Sequence, residues 1–238
     1  VTRSLAQLLE ENGRDGYVFR TDLRLRPFPA GQPLALTVDA AETYYARHGQ
    51  NWERAAFIKA RPVAGDLEAG AAFLERLAPF IWRRSLDFAA INDIHSIKRQ
   101  IHAFRGHARI ATHGHNVKLG RGGIREIEFF CQTQQLILGG RVPSLRERAT
   151  TPALRQLAAT GWIDETVADE LIEAYWYLRR VEHRLQMVDD AQTHLLPTDA
   201  AGFARIAAFL GYADAETFER ELRRRLETVE RHYAGLFE

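Results

Sequence analysis

Apolar residues change their spacing along this chain, and the change divides it into two sections. Leu5, Leu8 and Leu9 keep helical spacing before Gly13 and Gly16 interrupt, which predicts a short first helix. Residues 17–26 then alternate with period two. Tyr17, Phe19, Thr21, Leu23 and Leu25 share one face, and Val18, Arg20, Asp22, Arg24 and Arg26 the other. That alternation predicts a strand, closed by Pro27, Pro29, Gly31 and Pro33. Residues 34–38 read as a second strand and a hairpin partner.

From Asp39 onward the period is helical. Asp39 reads as the N-cap of a helix through Tyr44, Tyr45 and His48. A further helix spans 52–59, and Pro62 and Gly65 mark a break where a domain boundary is placed. Helices follow over 67–82, 88–104, 124–138, 152–159, 165–188, 201–210 and 216–237. The long segment is the clearest: Val167, Leu171, Ala174, Tyr175, Leu178, Val181, Leu185 and Val188 form one apolar stripe in steps of three and four. Successive helices with short connections predict a bundle. Two strands seldom stand alone, so the opening section reads as the tail of a larger sheet.

Composition narrows the function classes. The chain has 238 residues, 46% hydrophobic and 26% charged, with a net charge of +1. That is enough for a sizeable core, and the balance points to neither nucleic acid nor an anionic membrane. The basic residues are almost all Arg; only Lys59, Lys98 and Lys118 are lysines. Arg offers a planar fork suited to phosphates and carboxylates. A single cysteine, Cys131, excludes an internal disulfide and favours a reducing, cytosolic setting. No apolar run approaches the roughly 18–20 residues of a membrane span. The first residues show no signal-peptide pattern and no Met, so a piece cut from a longer protein is expected.

Two places could carry chemistry. Asp22 lies among Arg20, Arg24 and Arg26, which would hold it ionised, able to meet a divalent cation, while the arginines meet phosphates. A solvated strand edge accounts for the same charges. The second place runs from Lys118 through Gly120, Arg121, Gly122, Gly123, Ile124, Arg125, Glu126, Ile127 and Glu128 to Phe129. Glycines leading into a helix leave backbone N–H groups free to hold an anion, and Lys118, Arg121 and Arg125 add charge. An ordinary capped helix accounts for the glycines equally well. That helix pairs a polar stripe (Arg125, Glu128, Gln132, Gln135) with an apolar one (Ile124, Ile127, Cys131, Leu138), and Glu128 at their boundary requires a partner. His107, His113 and His115 share a loop but lack cysteine or carboxylate at zinc-ligand spacing. Asp189 and Asp190 read as a helix-end turn.

Four segments, in order, resemble the signatures of the bifunctional glutamine synthetase adenylyltransferase/adenylyl-removing enzymes. They are Thr21-Asp22-Leu23-Arg24-Leu25-Arg26-Pro27, Trp52-Glu53-Arg54 with Ile58-Lys59-Ala60-Arg61, Gly122 through Phe129, and Asp190-Ala191-Gln192-Thr193 to Pro197. The resemblance runs over nearly the whole chain. It implies a mainly α protein, the remnant of an α/β nucleotidyltransferase domain over 1–65 followed by an all-α helical bundle over 66–238. Each half of such an enzyme is similar to a nucleotidyltransferase domain with a bundle behind it. The Arg125-Glu126 pair and the Gln192-Thr193 segment resemble the adenylyl-removing, N-terminal half. The reaction implied is attack of inorganic phosphate on the AMP–tyrosine phosphodiester of glutamine synthetase, giving ADP.

The resemblance also implies Mg2+ held by three carboxylates, of which Asp22 matches the third. Arg24, Arg26, Lys59, Arg61, Lys118 and Arg125 are then phosphate or nucleotide contacts, with Glu126 and Glu128 supporting. Implied partners are glutamine synthetase, the PII signalling protein, ATP or ADP, and phosphate, in the cytoplasm. The family's Asp-x-Asp pair has no counterpart in this sequence, so this stretch alone is expected to bind the ion weakly and to be inactive. Two other readings stand beside this one: a docking or regulatory bundle without chemistry, and a relative of the PII uridylyltransferases.

Overall fold

The computed structural model describes residues 1–14, 16–28, 33–83 and 109–236. The helix expected over 88–104, and His107 with it, lies outside the described residues. The chain divides into two compact units, Val1–Arg83 and Arg84–Glu238.

Among the described residues the first unit contains α1 (Thr2–Glu10), α2 (Val38–Arg47), α3 (Asn51–Phe57) and α4 (Leu67–Ile81). Thr37, not Asp39, caps α2: its hydroxyl accepts from the Ala40 amide at 3.3 Å. Asp39 sits in the first turn, where a carboxylate suits the helix dipole, and pairs with Arg76 of α4 at 3.0 Å. α3 opens on a capping box in which the Glu53 carboxylate accepts from the Gln50 amide at 2.8 Å. α4 packs against α2 and α3. Tyr45, Leu77 and Ile81 form the buried centre, ringed by Tyr44, Phe57, Phe73 and Phe80.

The strand expected over 17–26 does not form among the described residues, and neither does its partner over 34–38. The reason lies in the hydrogen bonds. A strand needs a neighbour's carbonyls along its length. Here the amides of Val18 and Phe19 reach Leu9 O of α1 at 3.2 and 2.9 Å. The Thr21 amide goes to the Glu10 carboxylate, and the Arg24 amide to the Asp22 side chain. Among the described residues of this region, a bridge joins Gly13 and Gly16. Among the described residues no sheet lies beneath residues 17–26, and Phe19 and Leu25 are 66% and 65% exposed.

The second unit contains α5 (Ile124–Leu138), a 3-10 turn (Pro143–Leu145), α6 (Thr150–Ala159), α7 (Glu165–Asp189), α8 (Ala200–Phe209) and α9 (Ala215–Gly235). Side-chain caps fix two starts: Asp199 accepts from Gly202 N, and Asp214 from Thr217 N, each at 2.7 Å. The stripe on α7 is the spine of the core. Leu171, Ala174, Leu178, Val181 and Leu185 are buried against α5, α6, α8 and α9. Leu154 and Leu157 of α6, Phe203 of α8 and Phe218, Leu222 and Leu226 of α9 fill the space around them. Burial of each such side chain contributes about 1.5–3 kcal/mol.

α5 departs from a simple two-faced helix. Gln132, Thr133, Gln134 and Gln135 are buried along with its apolar residues. Gln135 is tolerated because its amide donates to Leu145 O and Glu147 O, both at 2.7 Å, tying α5 to the turn before α6. No described helix is long and apolar enough to cross a membrane.

Candidate functional site

In the first unit, Asp22 is gripped by a neighbour two residues on. Its Oδ1 accepts from Arg24 N at 3.0 Å and Nε at 2.9 Å, and its Oδ2 from Arg24 Nη2 at 2.6 Å. The Arg24 side chain, then its backbone amide, hold the Asp22 carboxyl well below the usual carboxylate range, and the pair raises Arg24 in turn. Arg26 turns away and donates from Nε to Leu23 O at 3.0 Å. The arginines expected to share a face with Asp22 therefore take separate roles, because the backbone here makes local turns in place of a strand. Lys59 and Arg61, on the chain leaving α3, are exposed.

The second signature works chiefly as a brace. Arg54 is fully buried, donating from Nε and Nη2 to Ile81 O at 3.2 and 3.1 Å and from Nη1 to Asn51 Oδ1 at 2.9 Å. It thereby satisfies the C-terminal carbonyl of α4. Burial pulls its pKa down to about 10. Glu53, also buried, accepts from the Gln50 amide and the Tyr44 hydroxyl, and burial raises its pKa. Trp52 projects outward and, with Lys59 and Ala60, joins Leu25 of the first signature around a cavity.

The glycine signature in the second unit is a filled turn. Gly123 N donates to Gly120 O, Ile124 N to Val117 O, Arg125 N to Lys118 O and Glu126 N to Gly123 O, at 2.9–3.0 Å. The Gly122 amide is taken by Glu126 Oε2 at 2.8 Å. The amides at the start of α5, expected to be free for an anion, are satisfied within the protein. Gly122 has φ +73, and a Cβ there would lie 2.2 Å from Leu226 O of α9. A Cβ on Gly123 would meet Gly120 O and Val117 O at 2.8 Å. Gly122 lets the turn seat directly on α9, and Gly123 lets it close on itself. Arg121 extends the attachment by pairing with Glu230.

The segment leading into the third signature meets the fourth. Val117 N donates to His194 O and Leu196 N to His115 O, both at 2.9 Å, around a bridge between Asn116 and Leu195. Beneath this contact lies Glu182 of α7, its side chain only 1% exposed. Arg179 Nη1 donates to Oε2 at 2.6 Å, Lys118 Nζ stands 3.5 Å from Oε1, and His194 Nδ1 3.0 Å from Oε1. The His194 contact is within ion-pair range for a protonated ring but outside hydrogen-bond geometry. Glu182 thus collects a cation from the glycine turn, one from its own helix and a histidine from the fourth signature. Arg125 leans on Glu128 at 3.4 Å, giving Glu128 the partner its position requires. Of the loop histidines, His113 stacks on Phe203 and His115 is buried.

Glu182, Arg179 and His194 were not singled out by sequence pattern. The available signal was a charge inside the α7 stripe: Glu182 falls seven residues after Tyr175, between Leu178 and Leu185. Among the described residues, no three His, Cys, Asp or Glu gather as a metal site.

Comparison with known proteins places these signatures. A family model described as glutamate-ammonia ligase adenylyltransferase matches residues 1–76. A second, described as GlnD PII-uridylyltransferase, matches residues 95–237. The bifunctional glutamine synthetase adenylyltransferase/adenylyl-removing enzyme of Rhizobium meliloti (strain 1021) is 65% identical over 236 residues, covering 99% of this chain. Its Mesorhizobium japonicum counterpart is 64% identical over 238 residues. The chain belongs to this family of bifunctional adenylyltransferase/adenylyl-removing enzymes. It spans 24% of the length of each of these two relatives. The adenylyltransferase relatives carry the likeness across both units, whereas the uridylyltransferase description covers the second unit's side alone.

Proposed function

We propose that this stretch belongs to the adenylyl-removing half of its parent enzyme, and that the whole protein both adds AMP to glutamine synthetase and removes it. Removal proceeds by phosphorolysis. An oxygen of inorganic phosphate attacks the phosphorus of the AMP–tyrosine phosphodiester, the bond to the tyrosine oxygen breaks, that oxygen takes a proton, and ADP departs. Glutamine synthetase is the protein substrate, PII the regulator, and the cytoplasm the setting. The observation that carries this reading is whole-chain identity of 65% to an adenylyltransferase/adenylyl-removing enzyme. The Arg125-Glu126 form of the glycine signature supports the choice of half.

Within the reaction, Asp22 is the residue of this stretch closest to chemistry: exposed, ionised and flanked by Arg24. Arg24, Arg26, Lys59, Arg61, Lys118 and Arg125 are the proposed phosphate and nucleotide contacts. Magnesium, the implied ion, takes hard oxygen ligands and would screen the charge that develops on the phosphoryl oxygens. The residues here do not fit it by themselves. Asp22 supplies one carboxylate, and Arg24 already holds both of its oxygens. The remaining ligands are proposed to come from outside this stretch, and the isolated chain to be inactive.

A second reading draws on the family models. One bundle region is matched by a uridylyltransferase description in a chain whose relatives are adenylyltransferases. A bundle common to two activities favours a supporting or docking role for the second unit, with the transfer chemistry outside it.

The test uses the full-length parent enzyme, adenylylated glutamine synthetase and radiolabelled inorganic phosphate. The label is expected in the β-phosphate of ADP. Release of unlabelled AMP would overturn phosphorolysis.

A further inference from the structure

The outer face of α7 changes character halfway along. Toward its start the exposed residues include Asp169 and Glu173, which pair with Arg155 and Arg225. Further on, the exposed line runs through Trp176, Arg180, His183 and Met187. Steps of four, three and four keep these side chains on one face. At 1.5 Å per residue the line is about 16 Å long, or three helical turns. Its ends are apolar, with Trp176 57% and Met187 61% exposed. Contacts to α8 widen the line into a patch. Arg184 donates to Met187 Sδ at 3.5 Å and lies over Phe209, 5.0 Å from the ring centroid. Phe209 is itself 44% exposed.

The charge of the patch is one-sided. Elsewhere on this unit arginines meet carboxylates: Arg121 with Glu230, Arg224 with Glu221 and Arg231 with Glu170. Among the described residues, Arg180 and Arg184 meet none. From Trp176 to Met187 no exposed position is acidic, since Glu182 is buried on Arg179. Trp, Phe, Met and Arg are enriched where proteins meet, and Trp and Arg dominate the energetics there. Apolar ends call for apolar side chains, and the guanidiniums between them for carboxylates. A straight line of three turns suits a helix laid alongside. The net charge of +1 provides no broad field for a nucleic acid. Roughly three quarters of the length of each relative lies outside this stretch. A tethered segment faces the patch at an effective concentration of about millimolar, ahead of a free partner of the same chemistry. We propose that an acidic, amphipathic helix from the part of the parent enzyme outside this stretch packs along the Trp176–Met187 face of α7. Its carboxylates meet Arg180 and Arg184, and its apolar side chains meet Trp176, Met187 and Phe209.

The experiment is hydroxyl-radical footprinting, read by mass spectrometry, on the 238-residue chain and on the nuclease-treated full-length parent. Radicals oxidise an exposed indole or thioether, and burial shields it. Trp162, 52% exposed in the turn between α6 and α7, is the internal control. Going from the exposures of Trp176 and Met187 in this chain to burial, their labelling is expected to fall at least about fivefold in the parent. Trp162 is expected to stay within twofold. In the parent, Arg180→Glu and Met187→Glu each place a like charge against the acidic helix. Each is expected to restore Trp176 labelling to within twofold of the isolated chain, whereas Arg180→Lys keeps the protection. Both positions are exposed, and circular dichroism confirms that the variants are folded. Equal labelling of Trp176 and Met187 in chain and parent overturns the proposal, since nothing in the parent then covers the face. Protection that survives both glutamate variants overturns it, because the cover is then not acidic. Protection lost on nuclease treatment assigns the cover to a nucleic acid. Protection already present in the isolated chain, with a dimer in light scattering, assigns it to a second copy. Either of these outcomes also overturns the proposal.

Discussion

Replacing Arg179 with methionine tests whether Glu182 is the junction of the second unit. Glu182 is buried, while the side chains of Arg179 and Lys118 are 31% and 37% exposed. At an effective dielectric of about 20, a pair of unit charges 2.6–3.5 Å apart attracts by roughly 5–6 kcal/mol before desolvation. Desolvation of the carboxylate takes back most of this. The asymmetry is what matters. Removing Arg179 strips the strongest partner from a buried charge, at a cost of about 3 kcal/mol. Removing Lys118, more distant and more exposed, costs about 1 kcal/mol or less. Glu182→Gln in the Arg179→Met background deletes the stranded charge and is expected to restore at least about 1.5 kcal/mol, a non-additive result. Trp162 and Trp176 lie in the second unit, so urea unfolding followed by fluorescence in a Trp52→Phe/Trp82→Phe background reports on that unit alone. In thermal melts, Arg179→Met is expected to lower Tm by roughly 6–12 °C. A cost for Arg179→Met no larger than for Lys118→Met, or strict additivity with Glu182→Gln, would refute the reasoning.

Gly122→Ala combines left-handed strain of about 1–2 kcal/mol with a clash against the Leu226 carbonyl, and is expected to destabilise the second unit by roughly 3 kcal/mol or more in the same unfolding assay. Glu126→Ala leaves the buried Gly122 amide without its acceptor and is expected to cost about 1–3 kcal/mol, whereas Glu126→Gln, which keeps a carbonyl there, costs less. The two units are expected to respond oppositely to acid, over different pH ranges. Glu170, Glu219 and Glu221 are held low by hydrogen bonds led by His232, Thr112 and Arg224 respectively. Their folded pKa lies below the unfolded value near 4.5, so their contribution is complete above that value and is lost as pH falls through the folded pKa. Each is partly exposed and worth about 1 kcal/mol or less. Burial raises Glu53 above its unfolded value, so the first unit gains stability as pH falls from neutral toward 4.5. Unfolding of each unit at pH 7, pH 4.5 and pH 3, read from its own tryptophans, checks both signs: the first unit gains between the first two, and the second unit loses between the last two.

The helical section was legible because its elements carry their own signals. The α7 stripe runs at steps of three and four, and α5 begins at the first residue after the glycines, where periodicity placed it. The Tyr17–Arg26 alternation misled because period two states only that a segment fits a sheet, and the carbonyls that would complete a sheet come from elsewhere. Asp39 lost the α2 cap to Thr37 because both are good capping residues two positions apart, and local sequence does not rank them. The glycine turn was legible as a turn, but the destination of its amides was not. That depended on Glu126 folding back one turn and on the approach of Leu226 from a helix a hundred residues away. Glu182 was visible only as a charge inside an apolar stripe, and its partners, Lys118 and His194, become neighbours through tertiary contacts alone.

The proposal that Asp22 marks the adenylyl-removing site is tested most directly by Asp22→Asn in the full-length parent enzyme. Asn keeps the size and removes the charge, at an exposed position where folding has little at stake. AMP removal from glutamine synthetase and AMP addition to it are measured on the same preparation. The expected result is removal reduced at least a hundredfold with addition within twofold of the parent. Removal at the parental rate, or loss of addition with removal intact, would contradict the assignment of this stretch to the removing half.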